Sequence, residues 1–472
     1  MFKKTDPNPQ LDIFTAPSMQ LGSRASKKYS DPNAWHNQFY SLVTTKIDEE
    51  IFKPLFPEGK KSGRPNASIR ILVAMSVLKE GFGCSDEDLF EKCEFDLLTR
   101  KALGMELLTD VTPSIDTYYL FRRRICEYQE RTGIDLMQLC FEQLAGKHVH
   151  LLKISGKCVR MDSKLIGSNI ARQSRYELIH TTLVKFLKTC TLTHLSPEQE
   201  ERAKEYLKED SSKTVYRSDS DTLQSNLARI GNFIMEMLAV FPATSPAHDL
   251  LLRLFEEQYV VMDGKAVLRD KKEVKADSLQ NPNDPDATYR AKNDQKVQGY
   301  VTNITETVEE GKPNIITSVQ VETAVFADCH FLQEAVENSE RVTDSTIEDL
   351  YADGAYQSPD NREFAKNHNA MQLKTGKMQG GCRWELIPHD EDGLTVREIA
   401  TGNTYEAVKA VTKQGSRKRW RIPWNNKTGW RYFEDKDIKA YQLRKQIESL
   451  PLEEQHKRNN VEAAMFQYSF HT

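Results

Sequence analysis

No C-x-x-C pair occurs among the eight cysteines (Cys84, Cys93, Cys126, Cys140, Cys158, Cys190, Cys329 and Cys382). A zinc site of the usual spacing and a disulfide framework are thereby disfavoured, and buried thiols in a reducing cytoplasm are expected. No apolar run approaches the ~18 residues that a membrane span needs, and no secretory apolar stretch follows the opening Met-Phe-Lys-Lys. The basic excess of a protein coated to meet nucleic acid is missing as well. Net charge is −4, so any DNA-binding surface must be local. Internal repeats and low-complexity tracts are also absent. What remains is a chain of 472 residues, 39% hydrophobic and 28% charged. That is a soluble globular composition, long enough for roughly three units.

Residues 1–34 carry Pro, Ser and Lys without periodicity and read as a loose arm. A helical domain follows over 35–150, with helix starts at Gly63-Arg-Pro-Asn66, Ser85-Asp-Glu-Asp88 and Pro113-Ser-Ile-Asp116. From 151 to 472 the pattern becomes mixed α/β. A short strand over Lys157–Met161 breaks the helical run, and helices return over about 170–280. Strands are expected at Val297–Ile304, Ile315–Val321, Ile347–Ala352 and Met371–Leu373. A β-rich insertion spans about 379–434, and helices close the chain. Without the two insertions the order is strand, strand, strand, helix, strand, helix, strand, helix.

Three acidic residues stand at telling places in that order. Asp162 falls where the first strand is expected to stop, and Asp353 follows the fourth. Glu462 sits on the last helix, one turn from Arg458, beside an apolar stripe of Val461, Ala464, Met465 and Tyr468. Carboxylates at strand ends point into the crevice where open α/β sheets bind ligands. Three converging carboxylates offer the hard oxygen donors that Mg²⁺ takes. Simpler roles stay open: a cap for Asp162, an Asp-Gly turn for Asp353, a solvated helix face for Glu462 and an i, i+4 salt bridge for Arg458. Asp284 and Asp286 read as a turn, and Asp328-Cys-His330 as a helix cap with a buried thiol. Two basic stretches could meet DNA phosphates, with aromatics available for stacking on unpaired bases. One is Arg122-Arg123-Arg124. The other is Lys413 with Arg417, Lys418, Arg419, Trp420 and Arg421, near Trp424 and Trp430.

Met161-Asp-Ser-Lys164, Asp284-Pro-Asp286 with Gly299-Tyr300, Tyr351-Ala-Asp353-Gly-Ala-Tyr356 and Arg458-Asn-Asn-Val-Glu462 together resemble the blocks of DDE transposases of bacterial insertion sequences. The likeness is to the IS1182-like group within the IS4/IS5 assemblage, and it covers nearly the whole chain. It implies an α/β fold with an RNase H-like catalytic core behind a helical DNA-binding domain. It further implies a DDE triad of Asp162, Asp353 and Glu462 holding Mg²⁺, with Mn²⁺ able to substitute. Arg458 would hold a phosphate. The implied reaction is cleavage at the element's ends followed by strand transfer of the 3′-hydroxyl into target DNA. Double-stranded DNA (terminal inverted repeats and target) would be the partner, bound by a homodimer in a bacterial cytoplasm, with no membrane and no small-molecule substrate. Departures are Gln455 and Ser469, where the IS4-type signature has tyrosine and lysine, and the lack of paired cysteines after Asp353. Relatives continue with a basic C-terminal segment, so a fragment or a truncated reading frame is among the expectations for a chain ending at Thr472. A catalytically inactive DNA-binding repressor and a metal-dependent nuclease on the same core are the alternative expectations.

Overall fold

The hydrophobic pattern resolves, in a computed structural model of the chain, into a mixed α/β protein with a helical N-terminal region. The structure describes residues 20–56, 66–241, 245–292, 295–375, 382–389, 393–410, 418–424 and 429–449, together with Phe2, Lys4, Pro451, Met465 and Phe466. Two compact units are present. One holds Met1–Asp162, Ile304–Ser318 and Leu332–Thr472; the other holds Ser163–Asn303 and Val319–Phe331.

In the first unit, helices Ile69–Phe82, Asp86–Phe95, Leu97–Leu103, Ile115–Thr132 and Leu136–Leu152 enclose Phe52, Leu72, Met75, Leu89, Tyr118 and Phe121. Their starts follow capping chemistry: Ser85 and Asp88 form a reciprocal capping box, and Ser114 accepts from the Thr117 amide. The 69–82 helix is capped by Ser68 rather than by Asn66, whose side chain donates to the Ala67 carbonyl instead. Part of the expected loose arm is ordered. Ser23–Tyr29 is a helix, and the Tyr29 carbonyl accepts from Asn37 Nδ2 at 2.8 Å.

The central sheet uses β1 (Cys158–Gly167), β4 (Thr288–Lys292), β5 (Gln295–Thr307), β6 (Ile316–Thr323), β7 (Asp349–Ala352) and β8 (Gln372–Thr375); β2 (Tyr259–Met262) and β3 (Lys265–Leu268) form a separate hairpin. Strand order is β4-β5-β1-β7-β8, with β6 also on β5. The pairs β1–β7 and β7–β8 are parallel, and β4–β5 is antiparallel. Backbone bonds from Val308 to Cys158 and from Ser168 to Gln298 make β1–β5 antiparallel too. Helix Leu332–Thr343 buries Leu332, Ala335, Val336 and Val342, and Ser339 Oγ lies 2.8 Å from Thr317 Oγ1.

The second unit carries helices Arg175–Leu187, Pro197–Lys208, Ser211–Arg217, Ser220–Val240 and Pro246–Gln258 around Leu183, Phe186, Phe233 and Leu254. The β2–β3 hairpin turns through Asp263 and Gly264, both at positive φ as a tight two-residue turn demands.

The later insertion belongs to the first unit. It is an antiparallel sheet in the order β13-β12-β11-β10-β9, built from β9 (Trp384–His389), β10 (Gly393–Glu398), β11 (Thr404–Lys409), β12 (Arg419–Trp424) and β13 (Gly429–Glu434). Helix Asp435–Glu448 closes its inner face through Ile438 and Tyr441. Among the described residues, no helix is long and apolar enough to cross a membrane.

Candidate functional site

Asp162 does not end its strand. The expected stop after Met161 is overturned: β1 runs on to Gly167 because its edge toward β5 stays paired after its edge toward β7 is released. The register with β7 joins Cys158 to Asp349, Val159 to Leu350 and Arg160 to Tyr351. Two residues further on each strand come Asp162 and Asp353. Asp353 lies just past β7, yet its backbone remains extended (φ −75°, ψ 161°), so the strand direction continues through it. Side chains repeat every two residues, and neighbouring strands run about 4.8 Å apart. The two carboxylates therefore rise on one face of the sheet from adjacent strands. Both are partly exposed.

That face is polar along its length. Below Asp162, Arg160 is 2% exposed and reaches across to Glu306, with Nε and Nη2 each 2.6 Å from the same oxygen. Burial pushes the Glu306 carboxyl up, against the pull of Arg160. Below Asp353, Tyr351 is buried, and Lys374 of β8 lies 3.4 Å from its hydroxyl and 3.0 Å from Asp349. The opposite face of the same rungs is apolar: Val159, Met161, Leu350 and Ala352 are fully buried.

Asp353 also performs a local task. Its Oδ1 accepts the Gly354 amide and caps the 3₁₀ turn Gly354–Tyr356, so the Asp-Gly turn foreseen as an alternative exists alongside the shared face. Beyond the turn, Ser358 caps helix Pro359–Asn367 by accepting from the Asn361 amide. A groove of about 830 Å³ opens beside Gly354, and its lining includes Arg362, Lys418, Lys436 and Lys439.

Glu462 and Arg458 lie outside the described residues, as do Lys413 and Arg417. Of the residues that follow Glu462 in the sequence, Met465 and Phe466 are helical, and Met465 is buried. Among the described residues no group of three His, Cys, Asp or Glu side chains could hold a metal ion. Asp162 and Asp353 are the described members of the expected set.

The basic stretches divide by side-chain parity. Lys418 is exposed in the groove. Arg419 lies over the Tyr432 ring at 4.1 Å and Arg421 over Trp430 at 4.2 Å, both on the outer face of β12–β13. Trp420 points the other way and is 3% exposed, inside the core of that sheet, which leaves its ring no surface for stacking on a base. Trp424 packs edge-on to Trp384, whereas Trp430 is about half exposed. On helix Ile115–Thr132, Arg122 and Arg123 face solvent, with Arg123 3.7 Å from Glu127. Arg124 turns inward over Phe56.

The Asp284 block forms an anchored turn. Asp284 accepts from the hydroxyls of Ser168 and Tyr300, and burial together with that bond pushes the Tyr300 phenol up. A Cβ at Gly299 would collide with the Ile166 carbonyl and come 2.5 Å from the Ser168 amide, so the β1–β5 crossing requires glycine. Asp328 opens the 3₁₀ turn Asp328–Phe331 and pairs with Arg290 at 3.0 Å and Lys292 at 3.2 Å, while the thiol expected to be buried beside it, Cys329, is half-buried. Sequence reading missed Glu306, Lys374 and Arg362; Glu306 in particular lies 146 residues along the chain from the Arg160 it faces.

No curated protein and no solved structure matches the chain. Residues 28–124, most of the N-terminal helical region, match the family model described as Transposase domain (DUF772), and this match supports a transposase role for the chain.

Proposed function

We propose that this chain is a DNA transposase of the DDE type, one that cuts DNA at the ends of an insertion sequence and joins the freed 3′-hydroxyl to target DNA. The observation that carries this reading is that Asp162 and Asp353 each follow, two residues on, the Arg160–Tyr351 pair that ends the parallel β1–β7 ladder. Family likeness alone concerns the N-terminal helices and says nothing of chemistry. The order β1, β5, β6, helix Leu332–Thr343, β7, helix Pro359–Asn367, β8 supports reading this part as an RNase H-like core.

Two carboxylates rising side by side repel one another unless a cation lies between them. Their oxygens are the hard donors that Mg²⁺ or Mn²⁺ takes, so the residues present fit a divalent ion. Asp162, Asp353 and, in this proposal, Glu462 would hold it. When bound, such ions lower the pKa of attacking water and stabilise a leaving oxygen. The chain's own contribution is rigidity. Asp162 is fixed by strand pairing on the β5 edge, and Asp353 by its cap on Gly354. Arg458 would grip a phosphate bidentately. Terminal repeats and target DNA are the proposed partners, bound by a homodimer that brings two ends together.

The test is nicking of duplex DNA that carries the element's ends, in Mg²⁺. Asp162→Asn and Asp353→Asn should each abolish nicking while leaving DNA binding intact. Full nicking by either variant would remove the enzymatic reading.

A further inference from the structure

The groove beside Gly354 has no part in holding the aspartates, yet it begins at the residue that follows one of them. Its cations come from three separate places in the chain. The first turn of helix Pro359–Asn367 supplies Pro359 and Arg362. Lys418 is the residue just before β12. Helix Asp435–Glu448 supplies Lys436, Lys439, Ala440 and Leu443. Four cations thus line it against two acids, Glu434 and Asp435.

The acids do not cancel the cations firmly. Lys436 lies 3.1 Å from Glu434 and Lys439 2.8 Å from Asp435, but both lysines are more than half exposed. Surface pairs of this kind contribute about 0–1 kcal/mol and exchange partners readily. Arg362 is exposed, and among the described residues its guanidinium has no ion-pair partner. A volume of about 830 Å³ falls within the roughly 300–1,000 Å³ of small-molecule sites. Such sites are mostly enclosed, whereas this one is open to water and rimmed by long flexible cations. Cations spaced along an open wall suit a chain of phosphates better than a single compact anion.

We propose that this groove seats the DNA sugar–phosphate backbone next to the cleavage site, with Arg362, Lys418 and Lys439 as phosphate ligands. The inference rests on the transposase reading and adds the path of the strand as it leaves Asp353. Binding here is independent of base sequence, because phosphates carry no sequence information.

The experiment uses the full chain carrying Asp162→Asn, without metal, and a fluorescein-labelled duplex of arbitrary sequence. Anisotropy titrations over a range of salt concentrations yield the slope of log affinity against log salt. That slope changes by about 0.9 for each phosphate that the protein ceases to neutralise. Arg362→Gln combined with Lys439→Gln should make it shallower by about 1.8, and either change alone by about half of that. Lys445→Gln, on the same helix but outside the groove lining, serves as the control and should leave the slope unchanged. An unaltered slope in the double variant, with circular dichroism confirming its fold, overturns the groove and leaves the catalytic reading standing. A parent chain that binds no duplex overturns both.

Discussion

At the scale of single residues, the polar face around Asp162 combines function with structural tension. Arg160 and Glu306 form a buried ion pair whose desolvation is repaid only while both partners remain. Glu306→Gln should therefore lower unfolding free energy by about 3–5 kcal/mol in urea titration. Replacing both residues by apolar ones of similar volume should cost far less. Asp328 gives the cleaner pH signal. Burial alone would raise its carboxyl, but Lys292 and Arg290 together outweigh that and hold it below the ordinary carboxylate range. A depressed folded pKa contributes stability that is present above the unfolded value near 3.9 and lost as pH falls through the folded one. Asp328→Asn should thus lower stability at neutral pH and flatten its decline below about pH 4, as measured by denaturant midpoints across an acid series.

At the scale of elements, strands and helices were legible where periodicity or capping chemistry was strong. The Ser85 and Ser114 helix starts, the β-insertion and the helix from Asp435 all follow from such signals. The length of β1 was not legible. Asp-Ser-Lys looks like a strand stop, and only the partner on the β5 edge, more than a hundred residues away, keeps the strand extended. Parity decided the basic stretch in the same way. A run of Lys-Arg-Trp-Arg reads as one patch until strand pairing sends Trp420 inward and its neighbours outward. The aspartates were legible as candidates, but their equal offset from the Arg160–Tyr351 pair was not, because register depends on both strands at once. Gly299 tests the β1–β5 crossing directly. Gly299→Ala would push a methyl into backbone atoms of Ile166 and Ser168, which cannot swing aside. A loss of at least about 1–3 kcal/mol is expected by thermal or urea unfolding, as for overpacked cores.

At the scale of the whole molecule, occupancy of the acidic pair should register as stability. A ligand bound by the folded state alone adds RT ln(1 + [L]/Kd), about 2.7 kcal/mol at a hundredfold excess over Kd. Mg²⁺ should therefore raise the melting temperature of the parent chain, and this rise should vanish in Asp162→Asn measured by scanning calorimetry. An equal rise in both would place the ion elsewhere. Between β1 and β7 the chain adds a full set of helices, and after β8 it adds a five-stranded sheet. Neither addition interrupts the seam that precedes the two aspartates, because β1, which carries Asp162, is hydrogen-bonded directly to β7, which leads into Asp353. Evolution can thus lengthen, shorten or replace those excursions without retuning the gap between the acids. Variation among descendants of this scaffold should accumulate there, while the β1–β7 seam stays fixed in length.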